Sequence, residues 1–147
     1  MTSPDPAQRP KLVVWAYRCW VVSGALLAVL GVLVVILSAI DDSGSMSSAT
    51  LGALVLIVGV AYILLGSKAF TGDARWRSSL SALTLVVVAM LLFLSVGFGS
   101  PVFALALLAA IIGLFGSLLA YRPDSETWYT GKAPEPKKQR TPRKKKP

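Results

Sequence analysis

Few side chains in this chain have types and spacings that could do chemistry. There is no histidine, which removes the commonest general base and the commonest metal ligand. The single cysteine, Cys19, has no intramolecular partner and stands in an apolar segment, where a thiol stays protonated and behaves as a small hydrophobe. One acidic pair exists, Asp41-Asp42, inside a Ser/Gly-rich turn. Two carboxylates fall well short of the roughly six to eight oxygens that calcium prefers. No nucleophile or base stands beside them, so a solvated turn at a helix end is the simpler account. Asp73 and Asp124 are the remaining carboxylates an enzyme could use, and neither has a partner in sequence. No Walker or dinucleotide-binding motif is present. The reading assigns no catalytic, cofactor-binding or metal-binding residue and expects a protein that is not an enzyme.

The basic residues carry more information. The net charge of +8 is concentrated after Gly131. Lys137, Lys138, Arg140, Arg143, Lys144, Lys145 and Lys146 lie within ten positions, interrupted by Pro142 and preceded by Pro134 and Pro136. Prolines and mutual repulsion predict an extended, unfolded tail. Near anionic lipid each such residue contributes on the order of 1 kcal/mol, fading within about 10 Å. The same charge could dock an acidic protein or simply hold the C-terminus on its side of the membrane. Nucleic acid is disfavoured, because no aromatic residue follows Tyr129 to stack on bases.

The elements that must position these residues are hydrophobic helices. A chain that is 54% hydrophobic with a mean hydropathy of +0.66 is wrong for a soluble domain of 147 residues. Its charged residues, 15% of the total, are segregated into short connections and the tail. Four spans are expected, at about 12–40, 49–70, 78–96 and 101–121, giving an all-α four-helix transmembrane bundle over 11–122. Residues 1–10, with three prolines, are expected to be a disordered N-terminal tail, and 123–147 a disordered polybasic tail. The apolar run after Lys11 exceeds the roughly 7 to 15 residues of a signal-peptide core, so it reads as a retained span. Pro101 suits the first turn of the fourth helix.

Orientation follows from the connections. Arg9, Lys11 and Arg18 open the first span, Lys68, Arg75 and Arg77 join the second and third, and Arg122 leads into the tail. The other two connections, 41–48 and 97–101, contain no Lys or Arg. Positive loops resist translocation, so both termini are expected in the cytoplasm of a plasma membrane. Trp15, Tyr17, Trp20, Trp76 and Tyr121 read as interfacial anchors on that side.

Apolar burial does not drive helices together in lipid, so close packing needs small residues along one face. Ala109, Gly113 and Ser117 form such a seam on the fourth span, Gly24, Ala28 and Gly31 on the first, and Gly52 and Gly59 mark the second. These seams serve either the bundle itself or a partner. Arg18 and Lys68 stand near span ends, and no Asp, Glu, Lys, Arg or His falls in the interior of an expected span, which argues against proton-coupled transport and against a small multidrug transporter, whose first span uses a glutamate. Ser23, Ser38, Ser81, Thr84, Ser95 and Ser117 are expected to bond back to carbonyls of their own helices. A faint similarity of Arg18-Cys19-Trp20 to Arg75-Trp76-Arg77, and of Leu64-Leu65-Gly66 to Leu118-Leu119-Ala120, suggests two parallel hairpins, although apolar helices resemble one another by composition alone.

Arg9-Pro10 before a tryptophan-opened span, Arg75-Trp76-Arg77 in the central loop, and Arg122-Pro123 leading to Trp128-Tyr129 together resemble small four-span integral membrane proteins of actinobacteria, of the mycobacterial type. The resemblance covers about Arg9 to Tyr129, and the strongly basic tail departs from it. That group has no clear activity, so the resemblance implies location more than function. The expected role is an accessory or scaffold subunit of a cell-envelope complex. Its partners would be an anionic inner leaflet together with another membrane protein or a second copy. The rival expectation is a small oligomeric channel or a lipid or solute carrier.

Overall fold

The computed structural model describes residues 4–41 and 46–131. Asp42 and the polybasic cluster at 137–146 lie outside the described residues. Four long helices, α1 (Lys11–Ile40), α2 (Met46–Phe70), α3 (Ala74–Phe98) and α4 (Pro101–Ala120), are each long and apolar enough to cross a membrane. A short α5 (Pro123–Thr130) follows. The chain is thus an all-α multi-pass membrane protein. The helices form a ring in chain order, with α4 closing on α1, and the diagonal pairs barely meet. The α1–α2 interface is the most extensive, whereas α2 and α3, although consecutive, share the thinnest one. The end bearing α5 and the α2–α3 turn is here called the capped end, and the opposite end the open end.

Local chemistry sets the boundaries. The α2–α3 turn uses Gly72 at φ +97°, a conformation that a side chain would strain, and Pro4 packs on its Cα. Asp73 then caps α3 by accepting from the Arg75 backbone N–H at 3.0 Å. This cap starts α3 four residues before the expected 78, which places Arg77 inside the helix. Gly99, at φ +59°, ends α3, and Pro101 opens α4. Helix α2 likewise begins at Met46 instead of 49, because Met46-Ser47-Ser48 continues its first turn and the Met46 carbonyl accepts from the Thr50 hydroxyl at 2.8 Å.

Backbones approach closely along the seams. A methyl built on Gly59 would stand 2.5 Å from the Ala28 nitrogen and 2.6 Å from the Gly24 carbonyl oxygen. One built on Gly31 would stand 2.7 Å from the Gly52 carbonyl oxygen. Gly24, Ala28 and Gly31 of α1 therefore lie against Gly52 and Gly59 of α2. On the other side of α1, Ala109, Gly113 and Ser117 of α4 are buried and face Ser23 and Trp20. Both seams run between helices of the same chain.

The space these glycines leave is occupied by two large rings. Tyr62 of α2 is fully buried, with its Cβ beside Gly24, its ring edge against Gly113, and its hydroxyl beside Thr84 of α3. It touches all four spans. Trp20 of α1, also fully buried, packs on Gly66 of α2 and Gly116 of α4, and its indole N–H donates to the Ser117 hydroxyl at 3.3 Å. The expectation that Trp20 anchors the interface is corrected. It faces the glycines of two neighbouring helices, and its N–H finds a buried acceptor. Trp15, Trp76 and Tyr121 are exposed.

The hydroxyls in the spans follow the expectation in part. Ser38, Thr84 and Ser117 donate to the carbonyls of Val34, Leu80 and Gly113, each four residues back. Ser23 instead donates across the bundle to the Ala109 carbonyl at 2.6 Å, tying α1 to α4. The Ser81 hydroxyl oxygen is buried without a hydrogen-bond partner.

The seam geometry orders three substitutions. Gly59→Ala meets backbone atoms and should destabilise the bundle by about 1–3 kcal/mol. Gly66→Ala, whose new methyl would sit 3.4 Å from the Trp20 Cβ, should cost much less, and Gly97→Ala, with open space around it, nothing through packing. Unfolding in mixed micelles with graded denaturing detergent checks the order.

Candidate functional site

At the capped end the two described termini of the chain are joined. After Arg122, Pro123 at the first position and Asp124 and Glu126 in the first turn suit a helix start. The Ser125 hydroxyl donates to the Leu119 carbonyl at 3.0 Å, folding α5 back under α4. The second turn then carries Trp128 and Tyr129, both buried. The Trp128 indole N–H donates to the Asp5 carbonyl at 3.1 Å, and the Tyr129 hydroxyl donates to the Ala69 carbonyl near the end of α2 at 3.0 Å. Residues 4–10 are held in place, with a 3-10 turn at Pro6–Gln8 capped by the Asp5 carboxylate. Over 4–10 and 123–131 the structure therefore differs from the expected disordered tails, whereas 1–3 and 132–147 lie outside the described residues. Each segment is too polar and short to bury a face alone, and each supplies what the other lacks.

Two arginines lie within this cap. Arg77 is 4% exposed. Its Nη1 donates to the Ala120 carbonyl at 3.2 Å, at the negative end of the α4 dipole, and its guanidinium lies 4.4 Å from the Tyr121 ring centroid and 4.7 Å from that of Tyr129. Arg9 lies 3.8 Å over the Phe70 ring, which stacks on Tyr17, and 5.4 Å from Trp128. A carbonyl and two π faces hold the Arg77 charge, π faces hold that of Arg9, and the Nε of each is buried without a hydrogen-bond partner. Asp5 and Asp73 are committed to capping backbone N–H groups. Burial drives the Tyr129 hydroxyl up to about 12, an effect that Arg77 and Arg9 partly offset by favouring the phenolate.

What this arrangement gathers is positive charge and aromatic rings at one end of the bundle. Among the described residues, no three of His, Cys, Asp and Glu come together as a metal site would require. Arg9, Lys11, Arg18, Lys68, Arg75, Arg77 and Arg122 all lie at the capped end, the end from which the polybasic tail leaves α5. Sequence reading located these charges but missed the cap. The available signals were Trp128-Tyr129 after a helix-starting Arg122-Pro123 and the Asp73 cap that turns Arg77 inward.

The fold and this site define a four-span membrane protein with a structured basic end. No protein-family model matches the chain, and no curated protein or solved structure is similar to it.

Two consequences of the cap are measurable. Tyr129→Phe should loosen α5 by about 1 kcal/mol, the worth of one hydrogen bond, read as faster protease cleavage after α4. Because the Tyr129 proton is held above the ordinary phenol value of 10.0, its contribution is complete below about pH 10 and is lost as pH rises towards about 12. Tyrosinate absorbance should show one late-titrating phenol that the Phe variant lacks.

Proposed function

We propose that this protein is a non-enzymatic accessory or scaffold subunit of a cell-envelope complex, with its capped end in the cytoplasm of a plasma membrane. It presents the polybasic tail to anionic lipid or to an acidic protein partner. The observation that carries this reading is the cap itself, in which Trp128, Tyr129, Arg9 and Arg77 fix the helix from which the tail departs. A tail anchored to the bundle delivers its charge at a defined position, whereas one leaving a frayed helix would not. The excess of Lys and Arg at this end supports the cytoplasmic assignment. The small residues of α1 and α4 are consumed inside the bundle, which leaves the basic end as the surface best suited to recognition.

The test is affinity purification from native membranes in mild detergent, comparing the full chain with one ending at Gly131. A stoichiometric partner lost on truncation is the expected result. Recovery of a homo-oligomer alone would instead favour the channel or carrier reading, which solute or lipid flux in liposomes would then examine. For orientation, in a Cys19→Ala background, Met46→Cys should react with an impermeant maleimide from outside intact cells. Glu126→Cys should require permeabilisation.

A further inference from the structure

Arg9 and Arg77 bring two charges into the cap, and both border the same phenol. Arg77 rests against the Tyr129 ring, while Arg9 lies over Phe70, whose neighbour Ala69 takes the Tyr129 hydroxyl. An arginine offers five N–H donors and cannot shed its charge. Arg77 spends Nη1 on the Ala120 carbonyl, and the Arg9 guanidinium makes no hydrogen bond among the described residues. Of their nitrogens without a partner, the two Nε are fully enclosed, whereas Arg77 Nη2 and both Nη atoms of Arg9 keep contact with the surface of the cap.

Among the described residues no carboxylate neutralises either charge. Asp5 and Asp73 cap backbone N–H groups, Asp124 and Glu126 are exposed in the first turn of α5, and Asp41 lies at the open end. The C-terminal ends of α2 and α4, which carry Phe70 and Ala120, supply about half a negative charge each. Two guanidiniums therefore leave roughly one positive charge unbalanced, beside an arginine that is 4% exposed, and an unbalanced charge out of water is costly.

We propose that Arg9 and Arg77 together bind one phosphate group at the capped end, either the phosphodiester of a lipid headgroup or a soluble phosphate. The guanidinium fork matches a pair of phosphate oxygens. Phosphate oxygens point to the corners of a tetrahedron, so one group can meet two arginines, and a phosphodiester brings the single negative charge that the balance requires. The level is also right. Lys11, Phe70, Ala74 and Ala120 are the terminal residues of the four spans, which sets the two arginines where hydrocarbon gives way to headgroups. Lys68, Arg75 and Arg122 at the same end raise the local concentration of anions. This site needs neither the polybasic tail nor a protein partner, so it is tested apart from the accessory reading.

The full chain in dodecyl maltoside, which carries neither phosphate nor charge, is titrated calorimetrically with inorganic phosphate at fixed ionic strength. In parallel, native mass spectrometry counts the phosphatidylglycerol retained after mixing, with the matching diacylglycerol as the ligand that lacks phosphate. Arg9→Gln and Arg77→Gln should each weaken binding by about tenfold or more, the worth of a charge-assisted hydrogen bond. Arg9→Lys should recover part of the loss. Lys144→Gln, Lys145→Gln and Lys146→Gln combined in the full chain should leave the arginine-dependent binding unchanged. One retained phosphatidylglycerol, lost in both arginine variants, assigns the phosphate to a lipid. Saturable binding of inorganic phosphate with the same arginine dependence, and no retained lipid, assigns it to a soluble ligand. If Arg77→Gln fails to fold, the half-buried Arg9 and its two variants carry the comparison. Binding indifferent to the arginines, binding lost with the tail lysines alone, retention of diacylglycerol equal to that of phosphatidylglycerol, or no binding of either probe would overturn the proposal.

Discussion

Helix backbones in lipid have no hydrophobic force to bring them together, so everything in this fold depends on the surface that close approach creates. Gly24 and Gly31 against Gly52 and Gly59 bring α1 and α2 to within backbone contact. On the opposite side of α1, Gly116 of α4 meets the Ala16 carbonyl, and Gly113 makes room for the Tyr62 ring and the Ser23 side chain. What makes these contacts productive is the pair of rings they admit. Tyr62 and Trp20 reach across the ring of helices only because the residues opposite them have no side chain, and each then supplies the many small dispersion contacts that take the place of a hydrophobic driving force.

The polar groups inside the bundle follow the same economy. The Trp20 N–H donates to the Ser117 hydroxyl, which in turn donates to the Gly113 carbonyl, and Ser23 donates to the Ala109 carbonyl one turn away. These bonds lie along the α1–α4 seam that the small residues open, so packing and hydrogen bonding specify one register together. A shift of α4 by a turn would misplace the serines and bring side chains onto the rings. In the capped half, geometry is thus fixed twice over.

Span number and seam positions were legible in the sequence because both depend on properties that survive without coordinates: runs of apolar residues, and small residues at four- and seven-residue steps. The cap was not. An eight-residue segment, Pro123–Thr130, with two acids and average polarity reads as tail, and only its contacts with residues 4–10 and the end of α2 make it a helix worth forming. Trp20 misled for a related reason. A tryptophan near the basic end of a span has the address of an interfacial anchor, and its inward direction depends on Gly66 and Gly116, which are distant in sequence. Arg77 has the sequence position of a loop charge, and it is helical only because α3 starts at Ala74, behind a cap supplied by the single Asp73 carboxylate.

The bundle is therefore two structures in series. Towards the capped end, rings, seams, α5 and residues 4–10 lock the helices to one another and to both described termini, and two guanidiniums rest on a carbonyl and π faces that would be lost to them if the cap opened. Towards the open end, Phe103 of α4 stands between two apolar hollows, and the α2–α3 interface is the thinnest of the four. A protein that needed only to span the membrane could fill both halves with leucine. In the accessory role proposed above, the locked half is the one from which the basic segment continues.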